Sequence, residues 1–177
     1  MRWAIALALA LAGCAEDAQP APEGVPQHEA RYADAPVEAE GVRLGVPPRA
    51  IHRARREAEG LARMPESLRR RALERGRERG SPSYAELRRD PSAYEDARVS
   101  YEGDVGLVRP AGERLWILAL RTRREGDRWT DPLYVLSVVP PGVPERTRAR
   151  IDGWVVGERT IGRHTLPLVV AFAIEAL

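Results

Sequence analysis

Apolar residues recur at every second position in the C-terminal half of this 177-residue chain, and this pattern limits the fold more than any other feature. Between residues 99 and 107, apolar or glycine positions alternate with Ser100, Glu102 and Asp104, as in a strand with one buried face. The run 115–120 is almost wholly apolar, which is typical of a strand covered on both faces. With three further segments, the pattern predicts five strands, at 99–107, 115–120, 133–139, 148–156 and 166–174.

Two of these segments carry a glycine in their interior. Gly103 lies in the context Tyr-Glu-Gly-Asp-Val and Gly153 in the context Ile-Asp-Gly-Trp-Val. A glycine inside a strand permits a bulge or a sharp coil, which the corners of a small barrel require. The chain is therefore predicted to be mainly β, with a five-stranded barrel over about residues 97–177.

Short helices are predicted before the barrel. Pro47-Pro48 precedes an apolar stripe at helical spacing, which consists of Ile51, Ala54, Ala58 and Leu61. A second helix is expected over 66–77. Ser83-x-x-Glu86 is a capping box, so a third is expected over 84–89. Asp90-Pro91 then predicts a further turn, with Leu87 and Tyr94 as anchors onto the barrel.

The region from about residue 81 to residue 177 resembles the small OB-fold domains of the anticodon-binding-like type. The resemblance rests on the lead-in Tyr84-x-x-Leu87 with Asp90-Pro91-x-x-Tyr94, on Val99-x-Tyr101-x-Gly103-x-Val105 and Ile151-x-Gly153-x-Val155-x-Gly157, and on Tyr134-Val135 and Leu166-Pro167. This sequence departs from the family pattern in two places. Glu95-Asp96 stands where a glycine is usual before the first strand. The connection 140–147 is too short for the helix that many OB-folds carry between strands three and four.

OB-folds bind oligonucleotides or oligosaccharides on the face of strands two and three. By position, the resemblance implies a ligand face formed by Ile117, Arg121, Arg123, Trp129 and Tyr134. Aromatic rings beside arginines suit single-stranded nucleic acid, although Tyr134 is equally well a core residue and a fold does not fix a function.

The charges are distributed unevenly along the chain, and all 28 basic residues are arginines. Two arginines against seven acids give −5 over residues 14–48, eleven against five give +6 over 49–80, and residues 81–177 are neutral. The densest cluster is a candidate anion-binding surface for lipid headgroups, lipopolysaccharide phosphates or nucleic acid; it comprises Arg69, Arg70, Arg71 and Arg75. The alternative is a solvated helix face with pairs such as Arg70–Glu74.

The N-terminus has the pattern of an export signal. Residues 3–12 are apolar and uncharged, too few to span a bilayer but enough for the apolar region of a signal peptide. Leu11-Ala12-Gly13-Cys14 resembles the lipobox of bacterial lipoprotein precursors, which implies that Cys14, the one cysteine of the chain, becomes a lipidated N-terminus. Ala15 at the next position implies the periplasmic side of the outer membrane rather than the inner membrane in a didermal cell. At thirteen residues the signal is short, and the start codon can lie upstream.

The sequence thus predicts four regions: a signal peptide at 1–13, a disordered tether rich in Pro, Ala and Glu at 14–48, an Arg-rich helical segment at 49–80, and the OB-like barrel at 81–177. No catalytic, metal or cofactor motif is found, and His28, His52 and His164 lack ligand spacing. Asp104 and Asp152 are expected on solvated strand faces. We therefore expect no enzyme, no metal and no cofactor.

Three functions remain open. The first is a lipid-anchored envelope protein that presents a non-catalytic interaction domain to an envelope protein partner. The second is an OB-fold binder of an anionic polymer, a glycan or single-stranded nucleic acid. The third is a helical membrane-surface binder that uses the arginine cluster. Because export predicts a location outside the cytoplasm, the first is favoured and nucleic acid is disfavoured as a partner.

Overall fold

The computed structural model describes residues 38–39, 42–43, 46–112, 114–126, 128–161 and 163–177. The predicted signal peptide, Cys14 and most of the predicted tether lie outside these residues. The helices are α1 (Pro48–Ala62), α2 (Glu66–Arg77), α3 (Tyr84–Arg89) and a 3-10 turn (Pro91–Tyr94). The barrel strands are β1 (Arg98–Gly112), β2 (Leu115–Glu125), β3 (Arg128–Ser137), β4 (Arg148–Ile161) and β5 (His164–Ala176). Glu38–Ala39 and Val42–Arg43 form a two-residue antiparallel ladder before α1.

The five strands close into a barrel in the order β1-β2-β3-β5-β4, with β4 returning to pair with β1. All neighbours are antiparallel except β3 and β5, which run parallel where Tyr134 lies opposite Leu168. This is a five-stranded Greek-key barrel of the OB-like class, and it confirms the predicted fold. None of the helices that the structure describes has the length and apolar composition needed to cross a membrane.

The two predicted mid-strand glycines have different roles. At Gly153 the register of β4 against β5 shifts, so this glycine lies at a bulge as predicted. In β1 the shift falls between Val105 and Leu107, and Gly103 itself keeps regular pairing with Ala149. A Cβ atom at Gly103 would collide with the backbone carbonyl of Arg121, so Gly103 permits a close approach of two strands rather than a bulge.

Alternating side chains fill the inside of the barrel. The interior cluster is mainly apolar and includes Val105, Leu118, Leu120, Val135, Ile151 and Val169. Leu87 of α3 belongs to the same cluster and is 0% exposed. The predicted capping box begins α3, with Ser83 Oγ accepting from the Glu86 N–H and Glu86 accepting from the Ser83 N–H. A helix that precedes the barrel thus contributes to its core, although the connection 140–147 carries no helix.

A second apolar cluster lies outside the barrel, between its outer face and the first two helices. The strands contribute Ile117, Leu136, Leu168, Val170 and Phe172. The helices cover them with Ala50, Ile51, Ala54, Leu61 and Leu73. The apolar stripe that predicted α1 is therefore the face by which this helix packs on the barrel.

Candidate interaction surfaces

Charged side chains on α1 form ion pairs with residues at the start of the barrel, along the edge of this outer cluster. Arg49 pairs with Glu95 at 3.2 Å, Arg53 pairs with Asp96 at 3.1 Å, and Glu57 accepts from Arg98 at 3.1 Å. The three α1 residues follow each other at intervals of four, so they share one side of the helix.

This arrangement accounts for one departure from the OB-fold pattern. Asp96 has a φ of 65°, in the left-handed region that glycine most often occupies and that Asp tolerates better than most residues. The carboxylates of Glu95 and Asp96 bind the arginines of α1, which a glycine cannot do.

Two arginines stack on the aromatic rings of the outer face. The Arg53 guanidinium carbon lies 3.4 Å from the Trp154 ring centroid, and that of Arg98 lies 4.9 Å from the Phe172 centroid. The two rings are 6.0 Å apart and tilted. Cation–π contacts of this kind strengthen where water is excluded, so these arginines are parts of the packing between α1 and the barrel.

Asp152 overturns an expectation drawn from the sequence. It points outward from β4, as the alternation predicted, but it is 1% exposed because α2 covers it. Arg77 of α2 donates two hydrogen bonds to it, from Nε to Oδ1 at 3.1 Å and from Nη2 to Oδ2 at 2.6 Å. Arg77 Nη2 also reaches Glu175 at 2.7 Å. The hydrogen bonds to Asp152, more than those to Glu175, raise the pKa of the Arg77 guanidinium above its ordinary value.

The other aspartate expected on a solvated face, Asp104, is partly buried. Its carboxylate lies 4.0 Å from Arg121. A network of ion pairs continues along the neighbouring edge of β1 and β4, where Glu102 accepts from Arg148 and Arg150. The hydrogen bond from Arg150 lowers the pKa of the Glu102 carboxyl.

The residues predicted for the ligand face of strands two and three are in different surroundings. Ile117 is 4% exposed within the outer apolar cluster. Tyr134 packs against the same cluster, and burial raises the pKa of its hydroxyl. Arg121 is half-exposed and Arg123 pairs with Glu125 at 3.2 Å. The side chain of Trp129 lies outside what the structure describes. The ligand face remains a prediction, and Arg121 and Arg123 are its accessible charges.

The arginines of the predicted cluster differ in exposure and in pairing, because they lie on different sides of α2. Arg69 is partly buried and pairs with Glu66 on the same helix. Arg70, Arg71 and Arg75 are exposed, and in the described ranges no carboxylate lies within ion-pair distance of them. The expected Arg70–Glu74 pair is not among the ion pairs of the described residues. Arg77, farther along the same helix, docks α2 on the barrel.

A further group of arginines meets at the α3 end of the barrel, and of these the sequence singled out only Arg123. Arg88 and Arg89 of α3, Arg123 of β2, Tyr84 and Asp131 line a shallow groove of about 380 Å³. The Tyr84 hydroxyl donates to the Pro132 carbonyl at 3.2 Å, which fixes one wall. Three guanidinium groups against one carboxylate make this groove electropositive.

Within the described residues, no three His, Cys, Asp or Glu side chains converge as metal ligands would. His52 and His164 lie apart on α1 and β5, while His28 lies outside the described part.

Comparisons with known proteins find likeness in structure but not in sequence. Neither a family model nor a curated protein matches the chain. Among solved structures it is similar to OBody AM3L09 bound to hen egg-white lysozyme, with 17% identity, a TM-score of 0.40, and coverage of 55% of this chain and 93% of that one. It is also similar to the mitochondrial single-stranded DNA binding protein Rim1 from S. cerevisiae, with 13% identity and a TM-score of 0.37. That match covers 47% of this chain and 96% of the other. A third similar structure is the N-terminal domain of PriB from Thermoanaerobacter tencongensis, with 19% identity and a TM-score of 0.32. The match covers 45% of this chain and 94% of that one. With every TM-score below 0.5, the OB-like assignment rests on the strand order of this chain.

Proposed function

We propose that this protein is a bacterial lipoprotein of the cell envelope that presents a non-catalytic OB-like interaction domain outside the cytoplasm. One observation carries the proposal: Leu11-Ala12-Gly13-Cys14 follows an uncharged apolar run in a chain with no other cysteine. An odd cysteine in an exported chain calls for a role other than an internal disulfide, and attachment of a diacylglyceryl group to the Cys14 sulfur through a thioether supplies one. Ala15 favours the outer membrane in a didermal cell.

Lipidation changes what the domain has to do. Two or more acyl chains hold a protein stably on a membrane, since each buried CH₂ contributes about 0.8 kcal/mol. The folded part then needs no membrane-spanning element, and it acts at a surface where its partners are concentrated. The described domain offers a rigid barrel with α1 and α2 docked on it, which suits a binding platform.

The test is mass spectrometry of the membrane fraction from cells that express the wild-type chain or Cys14→Ser. We expect a mature N-terminus at Cys14 with the added mass of acyl chains, and we expect Cys14→Ser to leave the membrane fraction or to accumulate unprocessed. A wild-type chain that is unmodified and retains Met1 contradicts the proposal. Cys14→Ala serves as a second variant, because neither replacement carries the thiol that accepts the lipid.

A second candidate function is the binding of an anionic polymer, a glycan or a single-stranded nucleic acid by the barrel. The observation that favours it is the electropositive groove of Arg88, Arg89 and Arg123. Fluorescence anisotropy with a labelled oligothymidylate and with labelled polyphosphate tests it over a range of salt concentrations. Binding that falls steeply with salt and is lost in Arg88→Gln/Arg89→Gln/Arg123→Gln supports it, while equal binding by wild type and variant contradicts it.

A further inference from the structure

The groove at the α3 end of the barrel contains charged groups of both signs that do not pair with each other. Its lining includes Arg88 and Arg89 of α3, Arg123 of β2, Asp131 of β3 and the Tyr84 side chain. Among the residues that the structure describes, no carboxylate lies within ion-pair distance of Arg88 or Arg89, and no guanidinium lies within that distance of Asp131. These groups are therefore available to a ligand that carries complementary charge and hydrogen-bond donors.

The other carboxylates near the groove have partners of their own. Glu125 pairs with Arg123 at 3.2 Å. Glu86 accepts from a backbone N–H at the start of α3, and Asp90 does the same at the start of the 3-10 turn. The groove lining itself holds three guanidinium groups against one carboxylate. Even when the pair of Arg123 with Glu125 is left out, the two arginines of α3 exceed the single charge of Asp131, so the lining is net positive.

The fold fixes the position of Asp131. Its φ of 55° lies in the left-handed region, which Asp and Asn tolerate better than most residues. The Thr122 hydroxyl donates to the Asp131 carbonyl at 3.0 Å, and the Tyr84 hydroxyl donates to the Pro132 carbonyl at 3.2 Å. These two hydrogen bonds hold the backbone at two successive residues, so the carboxylate is placed beside the arginines by the backbone and not by an ion pair.

Each component of the lining recognises a different chemical group. Guanidinium groups bind phosphate or carboxylate through paired hydrogen bonds. An ionised carboxylate only accepts hydrogen bonds, so Asp131 selects a hydroxyl or amine donor and repels a second anion. The Tyr84 hydroxyl is already bonded to a carbonyl, which leaves its ring as an apolar wall. A sugar that carries an acidic group offers an anion, hydroxyl donors and an apolar ring face together.

Two other ligand classes fit this lining less well. Polyphosphate carries anionic oxygens and lacks a donor for Asp131. Single-stranded nucleic acid binds where successive bases stack on several aromatic rings, and Tyr84 is the one aromatic side chain in the described lining. The combination of charges and a single ring therefore favours an acidic glycan.

We propose that this groove binds a glycan whose sugars carry phosphate or carboxylate, with the anionic group on Arg88 and Arg89 and a sugar hydroxyl donating to Asp131. The inference rests on the second candidate function, the binding of an anionic ligand by the barrel, and selects one of its three ligand classes. The groove has a volume of about 380 Å³, within the range of roughly 300–1,000 Å³ found for ligand sites. Because it is shallow, it takes a short stretch of a longer chain. It shares only Arg123 with the ligand face predicted on strands two and three.

The experiment uses the full chain with Cys14→Ser, labelled with 15N, and follows amide chemical shifts during titrations at physiological salt. The probes are tetragalacturonate, neutral maltotetraose, tripolyphosphate and oligothymidylate. We expect saturable shifts in α3 and in the β2–β3 hairpin with tetragalacturonate. Maltotetraose should bind at least about tenfold more weakly, because it lacks the anion that forms charge-assisted hydrogen bonds. Tripolyphosphate and oligothymidylate should also bind more weakly than tetragalacturonate.

Three variants locate the contacts. In Arg88→Gln/Arg89→Gln the affinity for tetragalacturonate should fall on the order of 10- to 100-fold. The matched control, Arg70→Gln/Arg71→Gln, removes two neighbouring exposed arginines from α2 and should change it less than about threefold, as expected for long-range charge alone. Asp131→Asn keeps a side chain that tolerates the positive φ. It should lower the ratio of tetragalacturonate to tripolyphosphate affinity about tenfold, since it removes an ionised acceptor and a repulsive charge. The same spectra verify that each variant folds.

Three results would overturn the inference: equal losses in the two double variants, an affinity ratio that Asp131→Asn leaves unchanged, or tighter binding of tripolyphosphate or oligothymidylate than of tetragalacturonate. In the last case the second candidate function stands with a different ligand. If none of the anionic probes shifts the amides of the groove, the inference and the second candidate function both fail. The lipidation of Cys14 is measured separately by mass and is not affected by any of these outcomes.

Discussion

The inner face of the barrel and the outer face beneath α1 and α2 are both apolar, yet they are enclosed by different means. The inside is filled mainly by apolar side chains, with Leu87 of α3 among them. The outside has an apolar centre with charged pairs along its edge, such as Arg53–Asp96 and Arg77–Asp152. The packing of the interior therefore depends on the volumes of its side chains. The packing of α1 and α2 on the outer face depends in addition on the pairing of opposite charges.

This difference has a consequence for stability. Opening the interior separates strands and is a global event, while α1 and α2 can leave the outer face with the barrel still closed. We expect amide protection to be graded accordingly, with the strands most protected and the two helices less so.

The largest effect is expected inside the barrel. Leu120→Ala removes a fully buried side chain of β2 and should lower the free energy of unfolding by about 2–5 kcal/mol. The matched change outside is Leu73→Ala on α2, also buried. Denaturant unfolding and hydrogen exchange together separate the two. Leu120→Ala should accelerate exchange throughout the chain, and Leu73→Ala chiefly in α1 and α2; equal acceleration everywhere in Leu73→Ala would mean that helices and barrel open as one unit.

The next effect concerns the charged edge. Asp152→Ala leaves Arg77 beside the barrel with Glu175 as its remaining partner, and the loss of a nearly buried pair should cost about 2–4 kcal/mol. Arg77→Met/Asp152→Ala should recover part of this loss, since the buried pair is then removed as a whole and Glu175 keeps Arg150 at 4.0 Å as a partner. Urea unfolding of the two single variants and the double variant gives the coupling. An additive double variant would show that the pair does not hold α2.

A smaller effect is expected at the helix that closes the end of the barrel. Ser83→Ala removes the side-chain acceptor of the capping box and should cost about 1 kcal/mol. Because Leu87 belongs to the interior, the loss should appear in the global unfolding transition. Thermal unfolding measures it, with Ser92→Ala in the next turn as a comparison. If Ser83→Ala changed only the amide hydrogen exchange of α3 and left the global unfolding transition unchanged, this helix would not be part of the barrel core.

The smallest effect is expected from Glu102, whose carboxyl is partly exposed. Its pKa is lowered below 4.5 by Arg150, so its contribution is fully present above pH 4.5 and is lost as the pH falls through the lower, folded-state pKa. Exposed pairs contribute about 0.2–1 kcal/mol. Unfolding of wild type and Glu102→Gln over pH should show a difference near neutral pH that shrinks in acid; a gap that widens in acid would contradict the assigned partner.

The sequence predicted the inside of the molecule better than the outside. Alternation identified the five strands and the interior residues, and the capping box placed α3, because these signals are local. The apolar run 115–120 also indicated a second covered face. Local sequence patterns do not show which part of the chain covers the outer face of a strand. The helices α1 and α2, which cover it, were therefore interpreted as a separate basic segment.

The candidate site residues show the same limit. Asp152 was assigned to the correct side of β4 but to solvent, since a period of two cannot tell an exposed outer face from a covered one. The arginines of α2 look alike in sequence, and only docking distinguishes Arg77 from Arg71. The spacing of Arg49, Arg53 and Glu57 indicates the side of α1 that docks on the barrel. This signal becomes clear only when Glu95 and Asp96 are known to pair with the two arginines.

The central position of β5 affects how the chain is made. β5 (His164–Ala176) pairs with both β3 and β4, although it is the last strand to be synthesised. Until it arrives, β3 and β4 present unpaired edges and apolar faces, which are hazards for aggregation and substrates for proteolysis. If the chain is exported as proposed, translocation in an extended state delays folding until β5 has crossed.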